Sequence, residues 1–374
     1  MTSPSVSRTR GISVAVATDS RFPDQVTLTW LDRTRLDPRD VAGAVAVLEA
    51  VRRVDTPAWM SESTRHLTAN LTYGWDAEPT EAALLRDKTG RPVGLLRVDL
   101  PCWDNRHLGL VDVRVDPLHR RQGIGRTLFQ AGVQRLRAEG RTTVLVESVD
   151  CGAPVGFAAA MGLERAQDVA QRRQDLTDLD WARLDTAYDE ANAHATGYEL
   201  LRLPGPVPES MRSAVCELTA AINDAPLDKL DVEDENFTPE RLLASEHMHE
   251  LLGRRIYRLV ARETATGALA GVTVVSVDSE QPWHAEQYDT SVVRKHRGHR
   301  LGVLLKVAML RWLREQEPQL REIDTWNAVS NAHMIAVNER LGYRVLGRFT
   351  EYQRDLPDTV PASSRGAGSV TGTA

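Results

Sequence analysis

The sequence has few cysteines and no long apolar segment. Its 374 residues include three cysteines, Cys102, Cys151 and Cys216, and no Cys-x-x-Cys motif. Neither a disulfide framework nor a zinc site of that type is indicated, and a reducing cytoplasm is the expected compartment. The run Val14-Ala15-Val16-Ala17 is far too short for a signal sequence or a membrane span, so we expect no membrane association.

The chain also lacks an excess of positive charge. Lysine and arginine number 46 against 52 aspartates and glutamates, so the formal net charge is −6. A nucleic-acid-binding surface would be basic, and we expect no nucleic-acid partner. The 42% hydrophobic and 26% charged content is typical of a globular protein. The length exceeds one ordinary core and predicts two domains.

The stretch from Val111 to Gly125 has the order strand, tight loop, helix. From Val111 to Val115, valines alternate with charged residues, which is the period of a strand. Pro117 ends this strand because it has no N–H for the ladder. Gly123 and Gly125 follow where a helix begins, and the first N–H groups of a helix can bind an anion. The stretch therefore predicts a phosphate-binding loop, and the alternative is a solvated basic turn.

The same pattern returns later in the chain. Gly125 corresponds to Gly302 at a separation of 177 residues, and Gly162 corresponds to Gly342 at a separation of 180 residues. Three extra residues between a helix and a strand of the second copy explain the change. A repeat of this kind indicates two copies of one structural unit.

The repeat predicts two domains, residues 25–177 and residues 197–357, joined by a linker at residues 178–196. The tails, residues 1–24 and residues 358–374, are rich in small and polar side chains and are predicted to be disordered. We expect a monomer or a homodimer.

Further signals place the other elements of the first copy. Asp37-Pro38 starts a helix, a second helix lies near residues 62–71, and a hairpin turns at Lys88-Thr89-Gly90-Arg91. After the phosphate loop we predict a helix, a strand and a short helix. A closing hairpin is then predicted to turn at Met161-Gly162-Leu163 and to end near Leu176.

The loop resembles motif A of the GNAT superfamily, the acyl-CoA-dependent N-acyltransferases. That motif is Gln/Arg-x-x-Gly-x-Gly/Ala after a strand that ends Val-x-Pro, and Arg120, Gly123, Gly125 and Val115-Asp116-Pro117 match it. A dinucleotide-binding loop would need Gly-x-Gly-x-x-Gly instead. The resemblance implies an α/β fold of the α+β kind: two tandem GNAT units, each a mixed, mostly antiparallel sheet with helices on both faces. It also implies acetyl-CoA as acyl donor, its diphosphate held by the loop amides.

The resemblance assigns loop and strand residues to acetyl-CoA binding. In the first copy they are Val113, Val115, Arg120, Arg121, Gln122, Gly123, Ile124, Gly125 and Arg126. In the second copy they are Val292, Val293, Arg297, Gly298, His299, Arg300, Leu301, Gly302, Asn327 and Asn331. Arg300 stands where the motif has its first glycine, and Asn331 stands where the family has an asparagine that bonds the pantetheine arm. His296 and His299 have no suitably spaced carboxylate or cysteine, so no metal site is predicted.

The resemblance also places a catalytic base. Many family members have a glutamate eleven residues before the Gln/Arg of motif A, and that position is Glu286 in the second copy and Gly109 in the first. The alternative is that Glu286 is a solvated residue at the start of a strand. Asp289 is a reserve base, although Asp112 repeats it in the first copy, which favours a shared structural role.

The usual acid of the family is absent. A tyrosine normally stands four residues before the glycine that opens the next strand, and Ala158 and Asn338 occupy that position here. Asn338 lies near the sulfur in this arrangement, and Tyr352 on the last strand is a substitute acid. The predicted catalytic residues are therefore Glu286, Asn338 and Tyr352.

Acetyl transfer to a small-molecule primary amine, in the second copy, is the function that this pattern favours. Within the family, the mycothiol synthases have the same tandem arrangement, and acetylation of an amino-sugar thiol precursor is an alternative. A further alternative is an acetyl-CoA-binding or sensing protein without catalysis, because the acid is missing and the second loop is altered.

Overall fold

The computed structural model describes residues 26–357, and both predicted tails lie outside the described residues. In that range the helices are α1 (Pro38–Asp55), α2 (Thr64–Thr72), α3 (Ile124–Ala138), α4 (Ala153–Ala160), α5 (Trp181–His194), α6 (Arg212–Thr219), α7 (Pro239–Leu252), α8 (Leu301–Gln316) and α9 (Ala332–Arg340). The strands are β1 (Thr27–Trp30), β2 (Glu81–Arg86), β3 (Pro92–Asp99), β4 (Leu108–Val115), β5 (Thr143–Val149), β6 (Glu164–Asp175), β7 (Tyr198–Pro204), β8 (Arg254–Glu263), β9 (Leu269–Asp278), β10 (His284–Val292), β11 (Glu322–Ala328) and β12 (Arg344–Asp355). Among the described helices, none is long and apolar enough to span a membrane.

Helices α3 and α8 begin differently from α1 and α2. The side chain of Asp37 accepts the N–H of Arg39 and caps α1, as predicted, and Ser63 caps α2 in the same way. Helices α3 and α8 have no side-chain cap, and the residues before them, Gly123 and Arg300, adopt a left-handed backbone. The first N–H groups of these two helices therefore remain open to a ligand.

The twelve strands form one sheet in the order β1-β2-β3-β4-β5-β12-β6-β11-β10-β9-β8-β7. Adjacent strands are antiparallel except for the parallel pairs β4–β5 and β10–β11. The predicted hairpin at residues 88–91 joins β2 to β3. The predicted fold class, a mixed and mostly antiparallel sheet with helices on both faces, is confirmed.

The last strand of each copy is exchanged. β6 pairs with β11 of the second copy, and β12 pairs with β5 of the first copy, while β6 and β12 pair with each other. The predicted closing hairpin after Met161-Gly162-Leu163 is therefore wrong. Residues 164–175 contain no Gly, Pro or Asn at which the chain could turn, so they continue as one strand.

We call β1–β5 with α1–α4 the first half, and β7–β11 with α5–α9 the second half. A buried ion pair ties the exchanged strand β6 to the second half. Arg173 donates to Asp324 at 2.6 and 2.8 Å, and Gln171 donates to the same carboxylate at 2.9 Å. Each half is thus completed in space by a strand from the other copy. We retain residues 25–177 and residues 197–357 as a proposal for the repeated units of sequence.

The helices cover the two faces of the sheet separately. Helices α3, α4, α8 and α9 pack on one face, which we call the α3/α8 face. Helices α1, α2, α6 and α7 pack on the other, which we call the α1/α7 face. The segment predicted as a linker is mostly helix α5, which buries Leu184, Ala187 and Ala191 against α8. The outer surface of α8 is therefore covered by a helix without a counterpart in the first half.

Candidate active site

A slot opens between two parallel strands in each half. β4 and β5 pair only at Leu108–Leu110, and β10 and β11 pair only at His284–Glu286. Beyond these residues the two strands are no longer paired with each other, so backbone groups that do not bond a side chain can bond an extended ligand. We call the two openings the first slot and the second slot, and the last paired residues their apex. Each slot runs from its apex to the loop that precedes α3 or α8.

The two loops have the same backbone conformation. Arg121 and Gly123 have positive φ values of 64° and 86°, and Gly298 and Arg300 have φ values of 89° and 54°. Each loop therefore has two residues in the left-handed conformation, separated by one residue, and one of the two is a glycine in each loop. The change of glycine to Arg300 leaves the second loop in the same shape, because Arg300 accepts the left-handed conformation there.

The first arginine of each loop braces the loop itself. Arg120 donates to both oxygens of Asp55 at 2.9 and 2.6 Å and also to the carbonyl of Val115. Arg297 donates in the same way to the carbonyl of Val292 at 3.0 Å and to Asp224 at 2.5 Å. These predicted cofactor residues hold the loop to the rest of the half, so their guanidinium groups are already engaged.

The first loop presents backbone amides at the start of α3. Residues 121–123 are exposed, and Ile124 and Gly125 begin the helix without a side-chain cap. A side chain at Gly125 would come within 3.1 Å of the ring of Phe157, which explains glycine there. Val113 and Val115 are half-buried along the first slot, packed on the core under α3.

The second loop carries a carboxylate that the first loop lacks. Glu190 on α5 lies 3.5 Å from the guanidinium of Arg300 and 2.6 Å from that of Arg340. A carboxylate at this place opposes a phosphate group. Gly123 has the corresponding place in the first loop and carries no side chain, and in the described residues no ion pair holds the neighbouring Arg121. The first loop is therefore the more open of the two to an anion.

The asparagines assigned to the second slot are already hydrogen-bonded. Asn331 caps α9 by accepting the N–H of Met334 at 3.1 Å. Asn338 donates to Asn327 at 2.7 Å, and its own side-chain oxygen is buried without a partner in the described part of the chain. Val293 packs on the α6 side of the sheet, away from α8.

A cavity of about 320 Å³ lies between the two halves on the α1/α7 face. Both halves contribute to its wall. The lining residues are Met60, Ser61, Glu62, His66, Asn70, Trp75, Arg97, Leu252, Arg254, Ser276, Asp278, Gln281, His284 and Glu286. Because Glu286 is also the last paired residue of β10, the cavity meets the apex of the second slot there.

Glu286 belongs to a cluster of polar side chains on the cavity wall. Arg254 donates to its carboxylate at 2.9 Å, and the hydroxyl of Tyr288 donates to it at 3.0 Å. Arg254 also donates to the Tyr288 oxygen at 2.5 Å. Burial raises the pKa of Tyr288 well above its ordinary value, so its hydroxyl keeps its proton at neutral pH. Tyr288 was missed by the sequence reasoning, although it follows Glu286 by two residues on the same strand.

A β-bulge shifts the alignment of the two copies at this point. Glu286 pairs with Ser276, and the equivalent pair in the first half is Leu110 with Asp99. The structural counterpart of Glu286 is therefore Leu110, and the predicted counterpart Gly109 is wrong by one residue. Counting residues could not detect the bulge, because it adds one residue to β10 without a glycine. No carboxylate takes this place in the first half in either alignment.

Because of the bulge, Asp112 and Asp289 have different neighbours on the adjacent strand. In β4, Asp112 lies opposite Arg97, which donates to it at 2.6 Å. In β10 the bulge sets Tyr288 and Asp289 together opposite Val274, which carries no charge. Burial, and to a smaller extent the charge of Glu235, raises the pKa of Asp289 to about 6. The shared structural role expected for these aspartates is not found.

Tyr352 lies in the first half, whereas Glu286 and Asn338 belong to the second half. It lies on β12 opposite Val146 of β5, and its side chain packs in the core of the first half. Its hydroxyl is buried without a hydrogen-bond partner among the described residues. The strand exchange is the reason for this position, because it carries β12 out of the second half. The grouping of Tyr352 with Glu286 is therefore wrong.

The exchange also forms a carboxylate pair on the first half. Glu351 of β12 lies directly opposite Glu147 of β5. Burial raises the pKa of Glu351 to about 7, and the charge of Glu147 adds to the shift. One oxygen of Glu351 is buried without a hydrogen-bond partner in the described range 26–357.

We expect Glu351→Gln to stabilise the protein above pH 7. The folded state holds a proton on Glu351 that the unfolded state has lost, so the native contribution of this residue falls as the pH rises from about 4.5 to about 7. Glutamine removes the penalty, and the free energy of unfolding should rise by about 1–3 kcal/mol above that window and change little below it. Urea denaturation at both ends of the window measures this. An equal change at both ends would contradict the raised pKa.

One group of side chains, two of which line the cavity, has the spacing of metal ligands. His66, Asp278 and Glu280 place three potential ligand atoms within 4.8 Å of one another. The ring nitrogen Nε2 of His66 lies 3.0 Å from Asp278, which also accepts the backbone N–H of Glu280. The direct contact between His66 and Asp278 joins α2 to β9 and so holds the two halves together around the cavity.

Comparison with known proteins identifies the family. Residues 46–162 and residues 224–343 each match the Acetyltransferase (GNAT) family. The chain belongs to this family and contains two of its units in tandem, so the predicted resemblance is confirmed.

A solved structure and a curated protein are both similar to this chain at about 30% identity. A tandem GNAT protein from the clavulanic acid biosynthesis pathway superposes with a TM-score of 0.75 at 29% identity, over 89% of this chain and 100% of that one. Mycothiol acetyltransferase from Stackebrandtia nassauensis is 30% identical over 148 residues, which cover 39% of this chain and 46% of the relative. The match thus spans about half the length of that curated relative.

A more distant structure shows the fold alone. A GCN5-related N-acetyltransferase from Sphaerobacter thermophilus superposes with a TM-score of 0.63 at 17% identity, over 89% of this chain and 96% of that one.

Proposed function

We propose that this protein transfers the acetyl group of acetyl-CoA to the primary amine of a small molecule, and that the transfer takes place in the second half. The observation that carries the proposal is the position of Glu286. Its carboxylate lies on the wall of the shared cavity and at the apex of the second slot. An amine in the cavity and a thioester at the end of the slot would meet beside it.

The donor would lie along the second slot. Its diphosphate would meet the open N–H groups at the start of α8, and its pantetheine arm would extend along β10 towards the apex. The six steps along the strand from Glu286 to Val292 span roughly 20 Å at the usual rise of a strand, a length that an extended pantetheine arm can cover. The thioester would then lie beside Glu286. A second acetyl-CoA would bind in the same way to the loop at Arg121–Gly125 in the first half.

The acceptor amine must lose a proton before it attacks. A general base needs to be within hydrogen-bond reach of that proton, so geometry decides before pKa. Glu286 lies at the apex, whereas Asp289 lies three residues towards the loop, roughly 10 Å further along the strand. We therefore assign the base to Glu286 and keep Asp289 as the reserve. Tyr288, which donates to Glu286, holds its carboxylate towards the cavity.

The charge of the cavity wall supports an amine acceptor. The wall carries three carboxylates, those of Glu62, Asp278 and Glu286, against two guanidinium groups. Arg97 pairs with Glu62 and Arg254 pairs with Glu286, so the carboxylates exceed the guanidinium groups by one. An ammonium group is the complementary ligand for such a wall. The mycothiol acetyltransferase relative makes an amino-sugar thiol precursor a second candidate acceptor, within the same chemistry.

The experiment that tests the function is a screen of amines for acetyl-CoA-dependent release of free CoA, with the acetylated product identified by mass spectrometry. We expect at least one small primary amine to be acetylated. Binding of acetyl-CoA by calorimetry without turnover on any amine would favour the alternative, an acetyl-CoA-binding or sensing protein. The missing tyrosine acid at Asn338 is the observation behind that alternative.

A further inference from the structure

The strand exchange brings one side chain of each copy to the slot of the other. Arg172 of β6 lies opposite Thr325, the first residue of β11 beyond the apex of the second slot. Tyr352 lies opposite Val146, which has the same place in the first slot. The two are separated by 180 residues, the repeat distance of this part of the chain. Each sequence copy thus contributes one side chain to the slot of the other copy, at equivalent positions.

The neighbours of Arg172 show which face it occupies. Arg173 and Gln171 bond Asp324 on the α1/α7 face, where Arg173 also reaches the carbonyl of Ala58. Side chains alternate along a strand, so Arg172 lies on the α3/α8 face with Gln174, which donates to the carbonyl of Leu341 at the end of α9. Arg172 therefore lies under α9 and beside the apex of the second slot.

Arg172 is buried without a partner. It is 4% exposed, and its Nε and Nη1 atoms have no hydrogen-bond acceptor in the described part of the chain. An arginine stays protonated in proteins, and a buried, unpaired charge is costly. Glu339 on α9 carries the opposite charge, but it is exposed and makes no ion pair with Arg172 in the described residues, and Arg348 on β12 carries the same charge as Arg172.

Thr325, the strand partner of Arg172, lies next to the apex of the second slot, where the acyl group of the donor would be. The hydroxyl of Thr325 donates to the backbone carbonyl of Gln287 at 3.2 Å and so bridges β11 to β10. Gln287 in turn accepts from the buried amine of Lys306 at 3.1 Å. Neighbouring strands lie about 4.8 Å apart, which is within the reach of an arginine side chain. The end of the second slot therefore has Arg172 and Lys306 on its α3/α8 face, and neither side chain makes an ion pair within the described range. Burial lowers the pKa of Lys306 to about 7, so Arg172 is the one that stays fully charged at neutral pH.

We propose that Arg172 stabilises the negative charge on sulfur when CoA leaves in the second half. This inference rests on the proposed function. Glu286 takes one proton from the ammonium group, the N–C bond forms, the C–S bond breaks with its electron pair remaining on sulfur, and the second proton of the nitrogen passes to solvent. The thiolate then pairs with the guanidinium of Arg172. A tyrosine acid is not needed, which accounts for Asn338 at the position of that acid.

The test measures the ionisation of bound CoA. Full-length protein with Gly123→Val, which removes binding by the first half, is titrated with CoA at neutral pH, and the thiolate is followed by its ultraviolet absorbance. Bound CoA should carry at least about tenfold more thiolate than free CoA, a shift of one pKa unit in the thiol. Arg172→Met should return it to the value of free CoA, and Arg172→Lys should retain part of the effect. Turnover by Arg172→Met should fall by about 10²–10³-fold in kcat, with little change in KM.

Arg348→Met is the matched control, because Arg348 is exposed on the neighbouring strand and carries the same charge. It should leave both the thiolate and kcat unchanged. If the unsubstituted Arg172 protein binds CoA with no more thiolate than in solution, or if Arg172→Met gives the same thiolate as the parent, Arg172 does not have this role. A second half that binds no CoA would instead overturn the proposed function itself.

Discussion

Glu286→Gln is expected to lower kcat by about 10²–10⁴-fold, the usual contribution of a general base. Glutamine keeps the size of the side chain and can still bond Tyr288 and the cavity wall, but it cannot take a proton from the amine. The affinity for acetyl-CoA should remain unchanged, because Glu286 faces the cavity and not the phosphate loop. Steady-state CoA release, together with calorimetric binding of acetyl-CoA, separates the two quantities.

Asp289→Asn is the matched control for that experiment. Asp289 is on the same strand, and its pKa is raised to about 6. If Asp289 were the base, kcat/KM would fall as the pH drops below about 6, and Asp289→Asn would abolish that limb of the profile. We expect Asp289→Asn to retain most of the activity. A larger loss of kcat in Asp289→Asn than in Glu286→Gln would show that Asp289 is the general base.

Gly123→Val is expected to remove acetyl-CoA binding by the first half. Gly123 has a φ of +86°, and a β-branched residue there costs about 1–3 kcal/mol and crowds the amides that would meet the diphosphate. We expect the affinity of the first half to fall by at least about 10²-fold, since the strain and the lost approach add. Calorimetric titration should then show one acetyl-CoA site fewer. Steady-state CoA release should show that most of the turnover remains.

Gly90→Val controls for backbone strain in that comparison. Gly90 has a φ of +84° in the turn between β2 and β3, and a side chain there meets no atom within 4 Å. It should destabilise the protein in the same way and leave acetyl-CoA binding unchanged. If Gly123→Val abolishes turnover while Glu286→Gln does not, the chemistry belongs to the first half, where Tyr352 and Glu351 are the polar groups near the slot.

The local elements of the fold could be predicted because their signals lie within a few residues. Asp37-Pro38 marks the start of α1, and the turn at residues 88–91 marks a hairpin. The tandem arrangement could also be predicted, since the separation of equivalent glycines is visible in the sequence. The partner of a strand is not a local property. Residues 164–175 read as a strand in either arrangement, and only the structure shows that they pair with β11 and β12.

In the candidate site, too, local features could be predicted from the sequence and strand pairing could not. The loop at Gly123 is predicted by its glycines and by the strand before it, and the structure gives both loops the same conformation. The counterpart of Glu286 was missed by one residue because a bulge changes the register without a turn residue. Arg172 was not predicted, since its position at the second slot depends on the exchange of strands between copies.

An experimental structure of the full chain with CoA bound would show directly whether the second slot is the site of acetyl transfer. We expect CoA in the second slot, with its diphosphate at the start of α8 and its sulfur at the apex, between Glu286 on one face and Arg172 on the other. A second CoA in the first slot would agree with this arrangement. CoA in the first slot alone, with the second slot closed by Glu190 and α5, would contradict it.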